Sequence, residues 1–297
     1  MARLTIRQLA GNTWLIPAPA NIGVYVRDKR ATLIDSGNDE EAGRQILKLL
    51  DEQGWTLELI VNTHSNADHI GGNAFLQKRT GCRIAATPLE AAFIVQPLLE
   101  PTVLYGGFPL PALRNKFLLA KPSTVTDLLP AAGPILASGL EALPLPGHYL
   151  EMIGVRTPDD VLFLADSLFA EAILAKYPLF FLYDVQGHLE TLARLDGVTA
   201  GCYVPSHGEP TADLAPLVAA NRRRLAATLD FVRACCATPV SWEGVLERVC
   251  LEYGIELNAN QYVLVGSTLR SLLAYLVVTG EVTTVFAAGT LQWQRVG

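Results

Sequence analysis

The amino-acid sequence predicts an α/β fold: two packed sheets with helices on their outer sides, followed by a smaller, largely helical module. Three observations lead there. In the first two thirds of the chain, short apolar runs bounded by turn residues alternate with segments of helical spacing. From Asp213 onward the texture changes to helices rich in alanine and arginine. Four of the five histidines stand just past predicted strand ends, where layered α/β folds gather their sites.

Residues 21–26, 31–35, 57–63 and 83–86 read as strands, the first two joined by a hairpin connection at Asp28-Lys29-Arg30. Residues 40–53 have helical spacing at Ile46, Leu47, Leu49 and Leu50, with Gly54 as C-cap, and a second helix is expected over 73–79. Strands return at 141–145, 152–156 and 161–165, then a helix at 184–195 and a last strand at 202–205. Residues 90–126 interrupt this pattern with five prolines, the pair Gly106-Gly107 and the aromatics Tyr105, Phe108 and Phe117. They read either as a surface excursion or as a lid over a site. Helices are expected over 213–236, from the cap Ser241 to 253, and over 267–279, with a short hairpin at 281–294. The domain boundary falls near residue 212, giving units 1–212 and 213–297.

Composition narrows the class. Of 297 residues, 50% are hydrophobic and 18% charged, which suits a well-buried globular protein. A net charge of −6 argues against binding driven by phosphate neutralisation. Arg3 and Arg7 are followed by no apolar leader stretch, and the apolar run at 272–278 is too short to span a bilayer. The 5 cysteines have irregular spacings, and Cys235 and Cys236 are adjacent. Free thiols in a reducing cytoplasm are expected.

The chemistry concentrates in Thr63-His64-Ser65-Asn66-Ala67-Asp68-His69-Ile70-Gly71-Gly72, directly after a predicted strand. Imidazole nitrogen and carboxylate oxygen are the donors that zinc or iron accepts in catalytic sites. An irregular loop is needed to aim them at one point, and the glycine pair permits a tight turn into the next helix. His148 in Leu145-Pro146-Gly147-His148 and His207 in Val204-Pro205-Ser206-His207-Gly208 follow other strands. Asp166 and Asp35 end the apolar runs Leu162-Phe163-Leu164-Ala165 and Thr32-Leu33-Ile34. Singly, each histidine is more often structural than a ligand; together they point to a metal site.

The order Asp35, the 64–69 loop, His148, Asp166, His207 resembles the five-motif pattern of the metallo-β-lactamase superfamily over residues 1 to about 212. The resemblance implies a four-layer αββα sandwich with the site at one edge. It implies two metal ions, typically zinc: one on His64 and His148, the other on Asp68, His69 and His207, bridged by Asp166. Asp35 would support the ligands, and Asp68 would orient the nucleophile or carry its proton. One position departs. The family's middle histidine is Asn66 here, a weaker neutral donor, so the first ion is expected to bind less tightly, with iron or mixed occupancy open. The C-terminal module resembles the winged helix appended to some relatives. Residues 213–297 hold seven Arg, no Lys and seven acidic residues, so nucleic acid is not an expected partner.

The expected activity is hydrolysis by metal-activated hydroxide of a small ester, thioester or lactone. Tyr105, Phe108, Tyr183 and His188 are the candidate substrate contacts, with His188 read as structural or pocket-lining. The alternatives are a phosphodiesterase or ribonuclease of the same fold, and iron-dependent oxygen or sulfur chemistry. The expected partner is a small molecule, with no membrane association and a homodimer left open.

Overall fold

The computed structural model describes residues 3–297; Met1 and Ala2, the start of the stretch read for a leader, lie outside the described residues. The first sheet runs in order β1 (Arg7–Ala10), β2 (Thr13–Ile16), β3 (Ile22–Arg27), β4 (Arg30–Ile34), β5 (Thr56–Val61), β6 (Arg83–Ala86), β7 (Asp127–Leu128). The β3–β4 hairpin closes at Asp28-Lys29, both left-handed at φ 51° and 62°, the twist a two-residue hairpin turn requires. Helix α1 (Glu40–Glu52) starts at Asp39, whose carboxylate accepts from the Ala42 N–H at 3.0 Å. The second sheet is ordered β12 (Cys202–Val204), β11 (Val161–Phe163), β10 (Ile153–Arg156), β9 (Leu140–Pro144), β8 (Gly133–Ile135).

Strand alternation puts one side chain set between the sheets: Leu15, Ile34 and Val61 meet Ile153, Val155 and Phe163 there. On the far side of the first sheet, Val24, Leu33 and Ile60 pack under α1 and α3 (Asn73–Thr80). On the far side of the second, Leu145 and Leu162 pack under α7 (Val185–Leu195) and the start of α8 (Ala215–Cys235). The layers are therefore helix, sheet, sheet, helix.

Residues 90–126 are more regular than their composition suggested. They form most of α4 (Pro88–Val95), α5 (Leu99–Tyr105) and a 3-10 turn (Pro111–Leu113), because their prolines sit mostly at helix starts or in connections. Leu104, Leu113 and Leu118 pack against Val263 of the C-terminal region.

That region contains α8, β13 (Val240–Ser241), α9 (Trp242–Tyr253), α10 (Ala259–Val278), β14 (Val282–Ala287) and β15 (Thr290–Arg295), with sheet order β13-β15-β14. Helix α10 begins eight residues before the expected position, at the cap Asn258, whose side chain accepts from the Gln261 N–H at 3.0 Å. Gly266 does not break it, because a Cβ there would stand 2.7 Å from Trp242 and close packing keeps the helix continuous. By length and apolarity α10 could cross a bilayer, but Leu269, Leu272 and Leu273 are fully buried in the C-terminal core. Helix α8 contributes Val218 to the core under the second sheet and Leu225 and Val232 to the C-terminal core, so it joins the two regions.

Candidate metal centre

Between β5 and α3 the chain makes the short helix α2 (Ala67–Ile70). The turn is possible because Gly71 and Gly72 lie against the 36–39 backbone: a Cβ on Gly71 would come within 2.3 Å of the Asn38 carbonyl carbon, and one on Gly72 within 2.4 Å of Ser36 O. His64 and His69 are thereby placed 4.0 Å apart, centroid to centroid. The ends of the second sheet supply His148 after β9, Asp166 after β11 and His207 after β12.

The structure brings these side chains into two groups, His64 with His148 and Asp166, and Asp68 with His69 and His207, their ligand atoms within 4.8 Å of one another in each. Asp166 lies between the groups: its carboxylate is 3.3 Å from His69 Nε2, 3.5 Å from His148 Nε2 and 3.2 Å from His207 Nε2. Donors bound at about 2.0–2.1 Å around a tetrahedral ion stand about 3.3 Å apart, which these separations match.

Hydrogen bonding fixes every ring the same way. Nδ1–H of His69 donates to Asp35 Oδ2 at 2.8 Å, that of His148 to the Phe181 carbonyl at 3.0 Å, and that of His207 to the Pro19 carbonyl at 2.7 Å. The Thr63 hydroxyl donates to Asp35 Oδ2 at 2.7 Å, which leaves its oxygen to accept from His64 Nδ1 at 3.0 Å. All four imidazoles therefore turn Nε2 inward, the tautomer a metal requires. His64 Nε2, His69 Nε2 and Asp166 Oδ1 are buried and have no hydrogen-bond partner. Buried donors and acceptors are seldom left so, and a cation would satisfy all three. The residues fit a metal.

Asn66 is N-cap of α2, yet its side chain makes no capping bond. Its Nδ2 instead donates to Glu100 Oε1 at 2.8 Å, and its Oδ1 stands 3.1 Å from His148 Nε2. Glu100 is buried, and burial raises its carboxyl well above the ordinary range. Sequence reasoning missed Glu100, as it missed Glu90, which accepts from Ser65 N–H at 2.9 Å and Ser65 Oγ at 2.6 Å and so braces the loop. Burial pushes Glu90 up to about 7.

None of the four residues read as substrate contacts lines the cavity over this centre. Tyr105 borders a separate cavity with Leu257 and Tyr262; Phe108 is 72% exposed beneath Arg114; Tyr183 is 44% exposed, its carbonyl accepting from Ser271 Oγ. His188 is fully buried against Phe180, its ring nitrogens without partners, and burial lowers it to about 3. It is a core residue because helical spacing turns it inward from α7. Phe117 is the aromatic of the expected lid that does line the cavity over the centre.

Charge coupling in the metal-stripped chain is uneven. Burial, then the neighbouring His69, holds His64 well below the ordinary imidazole range. Burial pulls His69 and His207 down too, but carboxylates led by Asp166 outweigh it, raising His69 well above that range and His207 to about 9. A metal must displace those protons. Uptake by stripped protein is therefore expected to release protons and to tighten as pH rises from 6 toward about 9. Calorimetry in buffers of different ionisation heat checks this; pH-independent uptake would contradict it.

The family model described as "Metallo-beta-lactamase superfamily" matches residues 15–207. The chain is 35% identical over 151 residues to a hydroxyacylglutathione hydrolase of Rhodopseudomonas palustris, covering 50% of this chain and 49% of that one. It is 30% identical over 167 residues to one of Nitrobacter hamburgensis, covering 54% of each. The chain thus spans about half the length of the curated relatives it matches. Among solved structures, a beta-lactamase domain protein from Burkholderia ambifaria superposes with TM-score 0.72 at 21% identity, covering 98% of this chain and 93% of the other. A metallo-beta-lactamase family protein from Thermus thermophilus does so with TM-score 0.72 at 20% identity, covering 96% and 99%. Layer order, clustered histidines and a match over most of the N-terminal region agree: the chain belongs to the metallo-beta-lactamase superfamily, and its fold is that of a metallohydrolase.

Proposed function

We propose that this metallohydrolase binds two divalent ions, zinc or iron, and hydrolyses a small ester, thioester or lactone. The observation that carries the reading is the set of partnerless Nε2 and Oδ1 atoms of His64, His69 and Asp166, grouped with Asp68, His148 and His207, which line a mostly apolar cavity. His64, His148 and Asp166, with the Asn66 amide oxygen, would hold one ion; Asp68, His69, His207 and Asp166 would hold the other. Such ions lower the pKa of bound water toward about 7 and polarise a carbonyl. The chain's own part is orientation: Asp35, Thr63 and the Phe181 and Pro19 carbonyls fix the rings, and Glu100 holds the Asn66 amide with its oxygen inward. Asp68, part-exposed at the cavity, is positioned to take a proton. The names of the relatives, hydroxyacylglutathione hydrolases, support thioester cleavage.

A boundary near residue 212 and a winged-helix reading of the C-terminal module are supported by the order α8-β13-α9-α10-β14-β15. That order is the one observation favouring a nucleic-acid substrate. Against it, α10, which would be the recognition helix, turns Gln261, Leu264, Val265 and Thr268 to the cavity. The test compares phenyl acetate, an acetyl thioester and bis-p-nitrophenyl phosphate. Ester and thioester cleavage that is lost on chelation and restored by zinc is expected. Cleavage of the phosphodiester alone would overturn the reading.

A further inference from the structure

The cavity above the centre, about 380 Å³, has Asp68, His148 and His207 at its foot. Its walls come from Phe117, from the segment after β11 and from α10, which lies beyond the residues the family model matches. Phe169 stacks on His207 with rings 6.3 Å apart and 11° from parallel, and Ile173, Leu264 and Val265 continue the apolar wall. The lining contains no lysine or arginine.

The cations nearest in sequence stand outside the lining, two of them over rings at its rim: Lys116 lies 5.5 Å from the Phe117 ring and Lys176 is over Tyr177 at 4.9 Å. Lys116 pairs with Asp39 at 3.2 Å, and Arg270 stacks on Trp242 at 3.9 Å. The hydroxyl of Thr268 is also spent, donating to the Leu264 carbonyl at 3.0 Å and accepting from the Leu182 N–H at 3.3 Å. A glutathione thioester carries two carboxylates, whose recognition calls for a guanidinium or ammonium group. With a hydroxyacyl partner its bulk is the charged peptide, for which the lining itself holds no cation.

We infer that the cavity takes an uncharged, apolar acyl chain, and that the preferred substrate is a neutral acyl ester or thioester rather than a glutathione conjugate. This rests on the ester-hydrolase reading above and narrows its substrate class. Each buried methylene favours such a substrate by about fourfold until the cavity is full.

The experiment uses the full chain loaded with zinc and thioesters of N-acetylcysteamine with acetyl, butyryl, hexanoyl and octanoyl groups, beside the same acyl groups on glutathione. For the neutral series, kcat/KM is expected to rise about fourfold per methylene over at least part of the range, and each neutral thioester to exceed its glutathione counterpart. Gln261→Arg and Leu264→Arg place a cation in the wall. Both are expected to flatten the chain-length series and narrow the gap to glutathione, with melting temperature reporting their folding. Octanamide supplies a readout without turnover: it should raise the melting temperature of chelator-stripped wild type and leave that of Gln261→Arg unmoved. A flat series, or preference for glutathione thioesters, overturns this inference alone. If no thioester in either series is cleaved this inference falls, and the hydrolase reading falls with it where phenyl acetate is also left intact.

Discussion

Replacing His69 or His207 by alanine is expected to remove at least one equivalent of metal from each variant and to abolish most of the hydrolysis. Both rings project Nε2 toward Asp166, at 3.3 Å and 3.2 Å, and with Asp68 they make up one ligand group. Loss of a hydrogen-bonding support of a ligand costs about 10–100-fold in affinity or activity, and loss of the ligand itself should cost at least that. The His69 variant also leaves Asp35 Oδ2 without its imidazole partner in a buried site, so a fall in thermal stability should accompany it. His207 is more exposed than His69, and its replacement should cost less stability for a similar loss of metal. Plasma emission spectrometry with a thermal melt reads both effects. Unchanged metal content in the two variants would end the ligand assignment.

Asn66→His is expected to strengthen the first ion's binding by about 10–100-fold, or about 1.4–2.7 kcal/mol. The site is already shaped for an imidazole. Glu100 Oε1, 2.8 Å from the amide nitrogen, could accept an Nδ1–H from the new ring, while Nε2 would take the place of the amide oxygen beside His148. The reciprocal variant, Glu100→Ala, frees the amide to rotate and should weaken the same ion without touching the second. Competition with a chromophoric chelator separates the two affinities. If Asn66→His adds nothing, the amide oxygen is not a ligand, and its 3.1 Å approach to His148 serves the imidazole alone.

The centre was legible in the sequence because its residues come one per strand end or in one short loop, so linear order carried the geometry. Its supports were not. Asn66 and Glu100 are separated by 34 residues, and His207 and Pro19 by 188, with no spacing rule to connect them. Among the expected helices, α10 was misplaced at its start, which was set at Ser267 while Asn258 acts as the cap. The residues read as substrate contacts came from aromatic-rich segments, of which Phe180 and Phe181 line the cavity while Tyr105, Phe108, Tyr183 and His188 do not. Phe108 stays in solvent and His188 in the core, whereas Leu264 and Val265 reach the cavity through the docking of a helix far along the chain from Asp68 and His148. Sequence patterns report which face of an element is apolar; they do not report which distant element will cover it.

The proposed centre joins His64, Asp68, His69, His148, Asp166 and His207 in an unequal pair of metal sites. Titration of the chelator-stripped natural protein with zinc tests it most directly. Two equivalents per chain are expected, the second group, Asp68, His69 and His207, filling first and the Asn66 side more weakly. Absence of zinc uptake at neutral pH would contradict the centre itself, and two tight, equivalent sites would contradict the inequality assigned to Asn66.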